Sequence, residues 1–235
     1  MQELKVSGKG DSKPIVSDQS GIHPRLYELV GRHMRSCFRA DLPQYIQALR
    51  SELVDFAQAF GNQLVLDSGC GTGDSTLRLA AAYPQCAVVG VDKSESRLQK
   101  AKAKRKQTRL SNVLFMRADL IHFWRLINCL NLRIKRHYLF HPNPWPKGQH
   151  LQRRWHGHSV FPELLAMGGF LELHTNWLTY AQEFAFALKV AKELDAPIEE
   201  LDAMLSGSAF ERKYNLSGHV IYRVSVQLST PESGD

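Results

Sequence analysis

The stretch that most limits how this chain can fold runs from residue 64 to residue 92. Leu64-Val65-Leu66 is a short apolar run that leads directly into Asp67-Ser68-Gly69-Cys70-Gly71-Thr72-Gly73. Residues 74–83 then carry a helical pattern with Leu77, Leu79, Ala80 and Ala81 apolar, and Ala87-Val88-Val89-Gly90-Val91 is a second apolar run that ends at Asp92. A strand, a glycine turn, a helix and a second strand make a βαβ unit, which requires the two strands to be parallel. Without side chains, the glycines let the backbone turn tightly and come close to a ligand.

The alternation continues along the chain. A helix is expected over 94–106 with Ser94 as its cap, a strand over 113–116 ending at Ala118-Asp119, and a helix over 120–130. A strand over 137–140 runs into Pro142, and a helical stretch over 154–167 is kinked or restarted by Pro162. A strand over 170–173, a helix over 180–194 and an alternating strand over 220–228 complete the series. Short apolar strands separated by helices predict an α/β domain over residues 61–235. Its fold is Rossmann-like, with a seven-stranded, mostly parallel sheet and helices on both faces. Ahead of it, Pro24 and Pro43 start helices over about 24–35 and 43–60, so residues 21–60 read as a helical extension. Residues 1–20, poor in large apolar side chains, read as a flexible tail.

In an open α/β sheet the ligand sits at the carboxyl ends of the strands. Asp67 stands at the end of the first strand, Asp92 at the end of the second and Asp119 at the end of the third. An acid after the second strand can hold ribose hydroxyls, and one after the third lies close to an adenine ring. The loop lacks the third glycine of GxGxxG, which disfavours a dinucleotide, and there is no GxxxxGK[ST] for a triphosphate. S-adenosylmethionine, which has no phosphate, is the cofactor this pattern favours, with Asp67 meeting its amino group. The expected cofactor-binding residues are Asp67, Gly69, Cys70, Gly71, Gly73, Asp92, Lys93 and Asp119. The plain alternative is a glycine turn that only packs strand on helix.

Net charge is +7 and the isoelectric point is about 9.3, which favours a polyanionic partner. Residues 141–158 hold three prolines, two tryptophans, four histidines and three formal cations, too polar a mixture for core. Trp145 is placed to stack on a flipped-out base, and Lys147, Arg153 and Arg154 to contact phosphates. The alternative is a rigid loop packed by its tryptophans, with solvated cations. Arg97, Lys100, Lys102, Lys104, Arg105, Lys106 and Arg109 form a second basic run, an RNA-contacting face or a solvated one. The histidines are not at metal-ligand spacing, so no metal is expected. Cys37, Cys70, Cys86 and Cys129 contain no CxxC pair and read as reduced thiols of a cytoplasmic protein. No run approaches the roughly 20 apolar residues of a bilayer span, and residues 1–20 lack the apolar core of a signal peptide.

These residues together resemble the bacterial tRNA (guanine-N7)-methyltransferases, class I S-adenosylmethionine-dependent enzymes, over roughly residues 60–228. Pro142-Asn143-Pro144-Trp145-Pro146-Lys147, with His150 and Arg153-Arg154, is similar to the family's PDPWPK-x-x-H-x-x-RR. Thr175-Asn176-Trp177 with Tyr180-Ala181 is similar to its TDW-x-x-YA, and Ser208-Ala209-Phe210-Glu211 to its T-x-FE. The resemblance implies a guanine pocket lined by Asn143, Asn176, Ser208 and Glu211, with Asn143 and Asn176 at the reacting base. Trp145, Lys147, His150, Arg153 and Arg154 complete the expected substrate-binding set, and tRNA or another structured RNA is the expected partner of a monomer or homodimer. The chain departs from the pattern at Asn143 and Asn176, where the family has Asp, at Ser208, where it has Thr, and at Gln149, where it often has Arg. An Asn amide offers one acceptor and one two-proton donor where a carboxylate only accepts. Methylation of another base or an exocyclic amine, and RNA binding without catalysis, stay open beside guanine N7 methylation.

Overall fold

The computed structural model describes residues 14–36, 38, 41–130, 132–201 and 219–229. Seven strands form one sheet in the order β3-β2-β1-β4-β5-β7-β6. They are β1 (Gln63–Ser68), β2 (Ala87–Asp92), β3 (Val113–Arg117), β4 (Arg133–Phe140), β5 (Gly169–Thr175), β6 (Ile198–Leu201) and β7 (Ile221–Leu228). The first five are parallel, whereas β7 runs antiparallel to β5 and β6 antiparallel to β7. The expected seven-stranded, mostly parallel sheet is therefore present. The strand β6 was not anticipated: Ile198-Glu199-Glu200-Leu201 is short, acidic and at the sheet edge, where no apolar alternation is needed and charge guards against further pairing.

Alternate residues of the central strands enter two cores. Leu64 and Leu66 join Val89 and Val91 in the larger one, while Val65 and Val88 face the smaller. The smaller core is closed by Ala80 of α4 (Asp74–Ala82) and by Leu98 and Ala101 of α5 (Glu95–Arg105). The larger one receives α6 (Leu120–Asn128), α7 (Phe161–Ala166) and α8 (Leu178–Lys192). It also receives α1 (Leu26–Met34) and α3 (Arg50–Gln58), through Leu26, Val30, Leu53 and Ala57. The N-terminal helices are thus part of the same core as the sheet. Among the described residues no helix is long and apolar enough to cross a membrane.

Several local expectations are corrected. The helix expected over 43–60 is broken into α2 (Gln44–Gln47) and α3 by a turn at Ala48-Leu49. The helix expected over 154–167 is replaced at its start by a 3-10 turn, Trp155–Gly157, which follows another at Gly148–Arg153, before α7 restarts with Pro162 in its first turn, where its missing N–H costs nothing. Ser94 stands at the start of α5 but makes no side-chain cap, because its hydroxyl is turned to Ser96. Of the tail expected over 1–20, residues 1–13 lie outside the described residues and the remainder is docked: Ile15 packs against the larger core, Ser17 Oγ donates to Pro146 O at 2.6 Å, and Gly148 N–H donates to Asp18 Oδ1 at 2.8 Å.

The glycine loop has the backbone its composition demands. Gly69, Gly71 and Gly73 have φ of +83°, +56° and +81°. Gly73 also has no room for a side chain, since a Cβ there would lie 2.6 Å from Ala101 Cβ and 2.7 Å from Phe115 Cζ. Replacing it with alanine combines a left-handed conformation with overpacking between α5 and β3. Gly73→Ala is expected to lower stability by about 2–4 kcal/mol, read as a fall in the urea midpoint at unchanged slope.

Candidate active site

The carboxyl ends of β1, β2, β3 and β4 meet at one cavity of about 500 Å³. Gly69 follows β1, Asp92 ends β2 and is followed by Lys93, and Ala118 and Asp119 follow β3. Leu120 and Ile121 of α6 add an apolar wall, and Asn143, Trp145, Arg153, Trp155 and His158 close the far side. The parallel strands bring these residues together because β1 to β5 all end on this edge.

Asp92 fixes the loop from below. It accepts Gly71 N–H at 3.0 Å and Ser94 N–H at 2.8 Å, and Arg97, exposed at the cavity, lies 3.7 Å from its Oδ2. Each carboxylate oxygen keeps a second lone pair for a hydroxyl. Asp119 lines the cavity while its Oδ1 caps α6 through Ile121 N–H at 2.9 Å. Asp67 is buried behind Gly69. Its Oδ2 accepts from Ser75 and Thr76 hydroxyls, both at 2.6 Å, whereas its Oδ1 is buried with no partner among the described residues. Burial pushes the Asp67 carboxyl up to about 6, against the pull of those two hydroxyls. An orphaned carboxylate oxygen beneath the loop fits the amino group of S-adenosylmethionine, and the acids and apolar wall beyond it fit a nucleoside without phosphate.

Cys70 does not reach the cavity. Its N–H is spent on Val91 O at 3.0 Å, its thiol faces the smaller core, and burial raises the thiol so that it stays protonated. The expected contact through Cys70 is thus corrected to support of the loop. Gly71 and Gly73 are likewise buried in the turn. Beneath them lies a polar group that the sequence did not reveal: Ser68 Oγ accepts from Trp124 Nε1 at 3.0 Å and pairs with His137 Nε2 at 2.8 Å. Burial holds His137 down at about 3, so it is neutral. Trp124 packs edge-on against Trp155, which carries the contact to the cavity wall.

The loop after β4 has two bulky residues in the left-handed region, His141 at φ +47° and Trp145 at φ +46°, with Asn143 exposed between them. Each costs roughly 1–2 kcal/mol of backbone strain, so the loop needs outside support. Trp145 is held from two sides. The Arg153 guanidinium lies over its ring at 4.7 Å, and His150 meets the ring edge-on at 5.6 Å. Arg154, expected at a phosphate, is instead fully buried and paired with Glu183 at 2.5 Å, so it cannot reach one. Its Nε and Nη2 donate to Trp145 O at 3.2 and 3.1 Å.

Lys147 and Arg153 are exposed, and His150 is half-buried. Asn176 is half-buried one residue past β5, outside the cavity wall. Ser208 and Glu211 lie outside the described residues, but Leu201 and Ile221 on either side are paired at the end of β6 and the start of β7, and Thr175 at the end of β5 pairs with Tyr222. His158, Trp155, Arg97, Leu120 and Ile121 line the cavity without having been singled out as its residues. His158 Nδ1 accepts from Val160 N–H at 3.1 Å, and burial lowers its basicity. Among the described residues no cluster of His, Cys, Asp and Glu is arranged to hold a metal ion.

A mostly parallel sheet in this order, with a glycine loop after β1 and acids after β2 and β3, defines an S-adenosylmethionine-dependent methyltransferase. Residues 61–224 match the family model described as "Putative methyltransferase", and this chain belongs to that family. A tRNA (guanine-N(7)-)-methyltransferase of Stutzerimonas stutzeri (strain A1501) is 31% identical over 156 residues, which is 63% of this chain and 64% of that protein. The aligned part is therefore just under two thirds of that relative. A tRNA (guanine-N(7)-)-methyltransferase of Staphylococcus haemolyticus (strain JCSC1435) is 24% identical over 92% of this chain and 96% of its own length. Among solved structures, an antibiotic related methyltransferase superposes with a TM-score of 0.58 at 17% identity, over 83% of this chain and 98% of that one, a likeness of fold.

Asp67 generates a pH test. Its folded pKa of about 6 lies above the ordinary value of 3.8, so its contribution to stability is present below the ordinary value and lost as pH rises through about 6. A cofactor ammonium on Oδ1 reverses this balance, because it favours the ionised form. Cofactor affinity is expected to fall about tenfold per pH unit below about pH 6, and Asp67→Asn to remove that slope. Calorimetric titration between pH 5 and 8 measures both.

Proposed function

We propose that this chain transfers the methyl group of S-adenosylmethionine to N7 of a guanine in tRNA, as a cytoplasmic monomer or homodimer. The observation that carries the reading is a single cavity whose one wall is acidic and apolar, from Asp92 to Ile121, and whose other wall is the Asn143–Trp145 loop. The names of the relatives point the same way.

The cofactor supplies an electrophilic methyl group. Guanine N7 has a free lone pair and no proton to lose, so the chain's own residues have mainly to orient it, which is catalysis by proximity. Trp145 offers a stacking face at the cavity edge. Asn143 and Asn176 are assigned to the base edge: an amide oxygen can accept from N1–H while the amide NH2 donates to O6. Ser208 and Glu211 are assigned there by the resemblance. Lys147 and Arg153 are assigned to phosphates, and His150 steadies Trp145 beside them. The cofactor is assigned to Asp67, Gly69, Asp92, Lys93 and Asp119.

Purified chain incubated with unmodified tRNA and labelled cofactor should yield N7-methylguanosine by nucleoside mass spectrometry. A different methylated base, or none, overturns the assignment. Restoring two carboxylates with Asn143→Asp and Asn176→Asp should raise kcat/KM by about 10–100-fold, since a charge-assisted hydrogen bond exceeds a neutral one by roughly 1 kcal/mol or more.

The basic run is assigned to the RNA backbone. Arg97 and Lys100 share one side of α5, beginning at the cavity. Lys104, a turn further, is tied to Asp74 at 2.6 Å. Lys100, Lys102 and Lys106 are exposed. Their joint change to alanine should weaken tRNA binding and flatten its dependence on log salt by roughly 0.7–0.9 for each phosphate no longer neutralised. Cofactor affinity should not change.

A further inference from the structure

We infer that Gln19 and Glu183 are positioning residues for Trp145, so that the segment preceding α1 is a working part of the substrate side of the site. This rests on the functional reading above for what Trp145 touches, but not for how Trp145 is held.

Four chain segments meet at one buried ionic group. Glu183, on α8, is fully buried, as are Arg154 and His156. Glu183 Oε2 accepts from Arg154 Nη1 at 2.5 Å and from His156 Nε2 at 2.9 Å, while Oε1 accepts from Gln19 Nε2 at 2.5 Å and from His23 N–H at 3.0 Å. All four acceptor positions of the carboxylate are used. Arg154 is equally committed: Nη1 also donates to Gln19 Oε1 at 3.1 Å, and Nη2 donates to Trp145 O at 3.1 Å and Lys147 O at 3.2 Å. With Nε on Trp145 O, all five of its N–H groups are placed. Gln19 closes the network by donating to Gly21 O as well.

With every acceptor position of Glu183 and every N–H of Arg154 used, the ion pair is held rigidly, and loss of one member leaves another unpaired in a low-dielectric interior. Here the rigidity is delivered to a particular atom. The carbonyl that Arg154 grips twice belongs to Trp145, the residue whose left-handed backbone aims its ring at the cavity. Glu183 orients the guanidinium, and Gln19 bridges both partners. The N-terminal segment adds a second hold on the same loop through Ser17 to Pro146 O and Asp18 to Gly148 N–H. Removing Gln19 therefore loosens Trp145 without touching the glycine loop, Asp92 or Asp119.

The test uses the full chain with Gln19→Ala, and with Glu183→Gln as the stronger change. The four tryptophan indole N–H signals are followed by nitrogen-15 NMR, with Trp145 assigned through Trp145→Phe. Gln19→Ala should shift or broaden the Trp145 signal, leave Trp124 unmoved, raise KM for tRNA about tenfold, and keep kcat and cofactor affinity within twofold. A purely structural role would lower kcat, cofactor affinity and melting temperature together. If Glu183→Gln fails to fold, Gln19→Ala decides alone. A Trp145 signal unchanged in Gln19→Ala, or a signal that moves with KM unchanged, overturns the inference. Wild-type chain that is inactive on tRNA while Gln19→Ala still moves the Trp145 signal defeats the functional reading and supports the positioning.

Discussion

The site depends on β1 being paired in parallel on both sides, with β2 and with β4. That pairing fixes which ends of the strands lie together. Asp67 stands level with Gly90 of β2 and Tyr138 of β4, so the chain leaves β1, β2 and β4 on one edge within a few residues of one another. The glycine turn, the acid after β2 and the tryptophan loop after β4 converge because of this register, and the left-handed glycines allow the first of them to bend back over the edge. Their distances in sequence say nothing of that convergence.

Two neighbouring arginines divide the work of holding the aromatic wall. Arg153 is exposed and lies on the Trp145 ring, whereas Arg154 is buried and grips the Trp145 carbonyl. One can respond to a phosphate, and the other is neutralised by Glu183. Burial pushes the Glu183 carboxyl up, but the hydrogen bonds and charges of His156 and Arg154 outweigh it and hold the group at about 2. Breaking such a pair by removing one partner leaves a stranded charge, at a cost of about 3–5 kcal/mol. Backbone strain at Trp145 is smaller than that, so the ion pair can hold the loop in a conformation it would not choose alone.

Much of the fold was legible because parallel strands are uniformly apolar and their boundaries are marked by glycine and acid. Leu64 to Leu66, Ala87 to Val91 and the loop between them permit few other arrangements. The edge strand β6 was not legible, because Glu199 and Glu200 give it no buried face. In the site, the acids after β2 and β3 were found by position, but the fate of Arg154 was not, since Arg153 and Arg154 are alike in sequence and differ only in what covers them. A signal for the buried partner did exist: Glu183 interrupts an apolar stripe of Tyr180, Phe184, Ala187 and Leu188 on α8, and a charge in such a stripe is almost always paired. Nothing comparable marks Gln19, whose charged partners Glu183 and Arg154 lie more than a hundred residues away.

In the proposed reading, the two amides at positions 143 and 176 shift where recognition energy comes from. With carboxylates, a guanine edge would gain charge-assisted bonds of about 1.5–3 kcal/mol each, against about 0.5–1.5 for neutral ones. The difference over two positions amounts to one to a few powers of ten in binding. A base stacked on Trp145 recovers about 1–3 kcal/mol without regard to its identity, and each phosphate met by α5 adds affinity that is also blind to sequence. In the proposed reading, affinity for tRNA then rests on charge and stacking, and the choice of guanine rests on fewer and weaker bonds than carboxylates would form. A ring nitrogen suits such a pocket: methylation at N7 asks for orientation against the cofactor and for no group that must take up a proton, which neither amide can do.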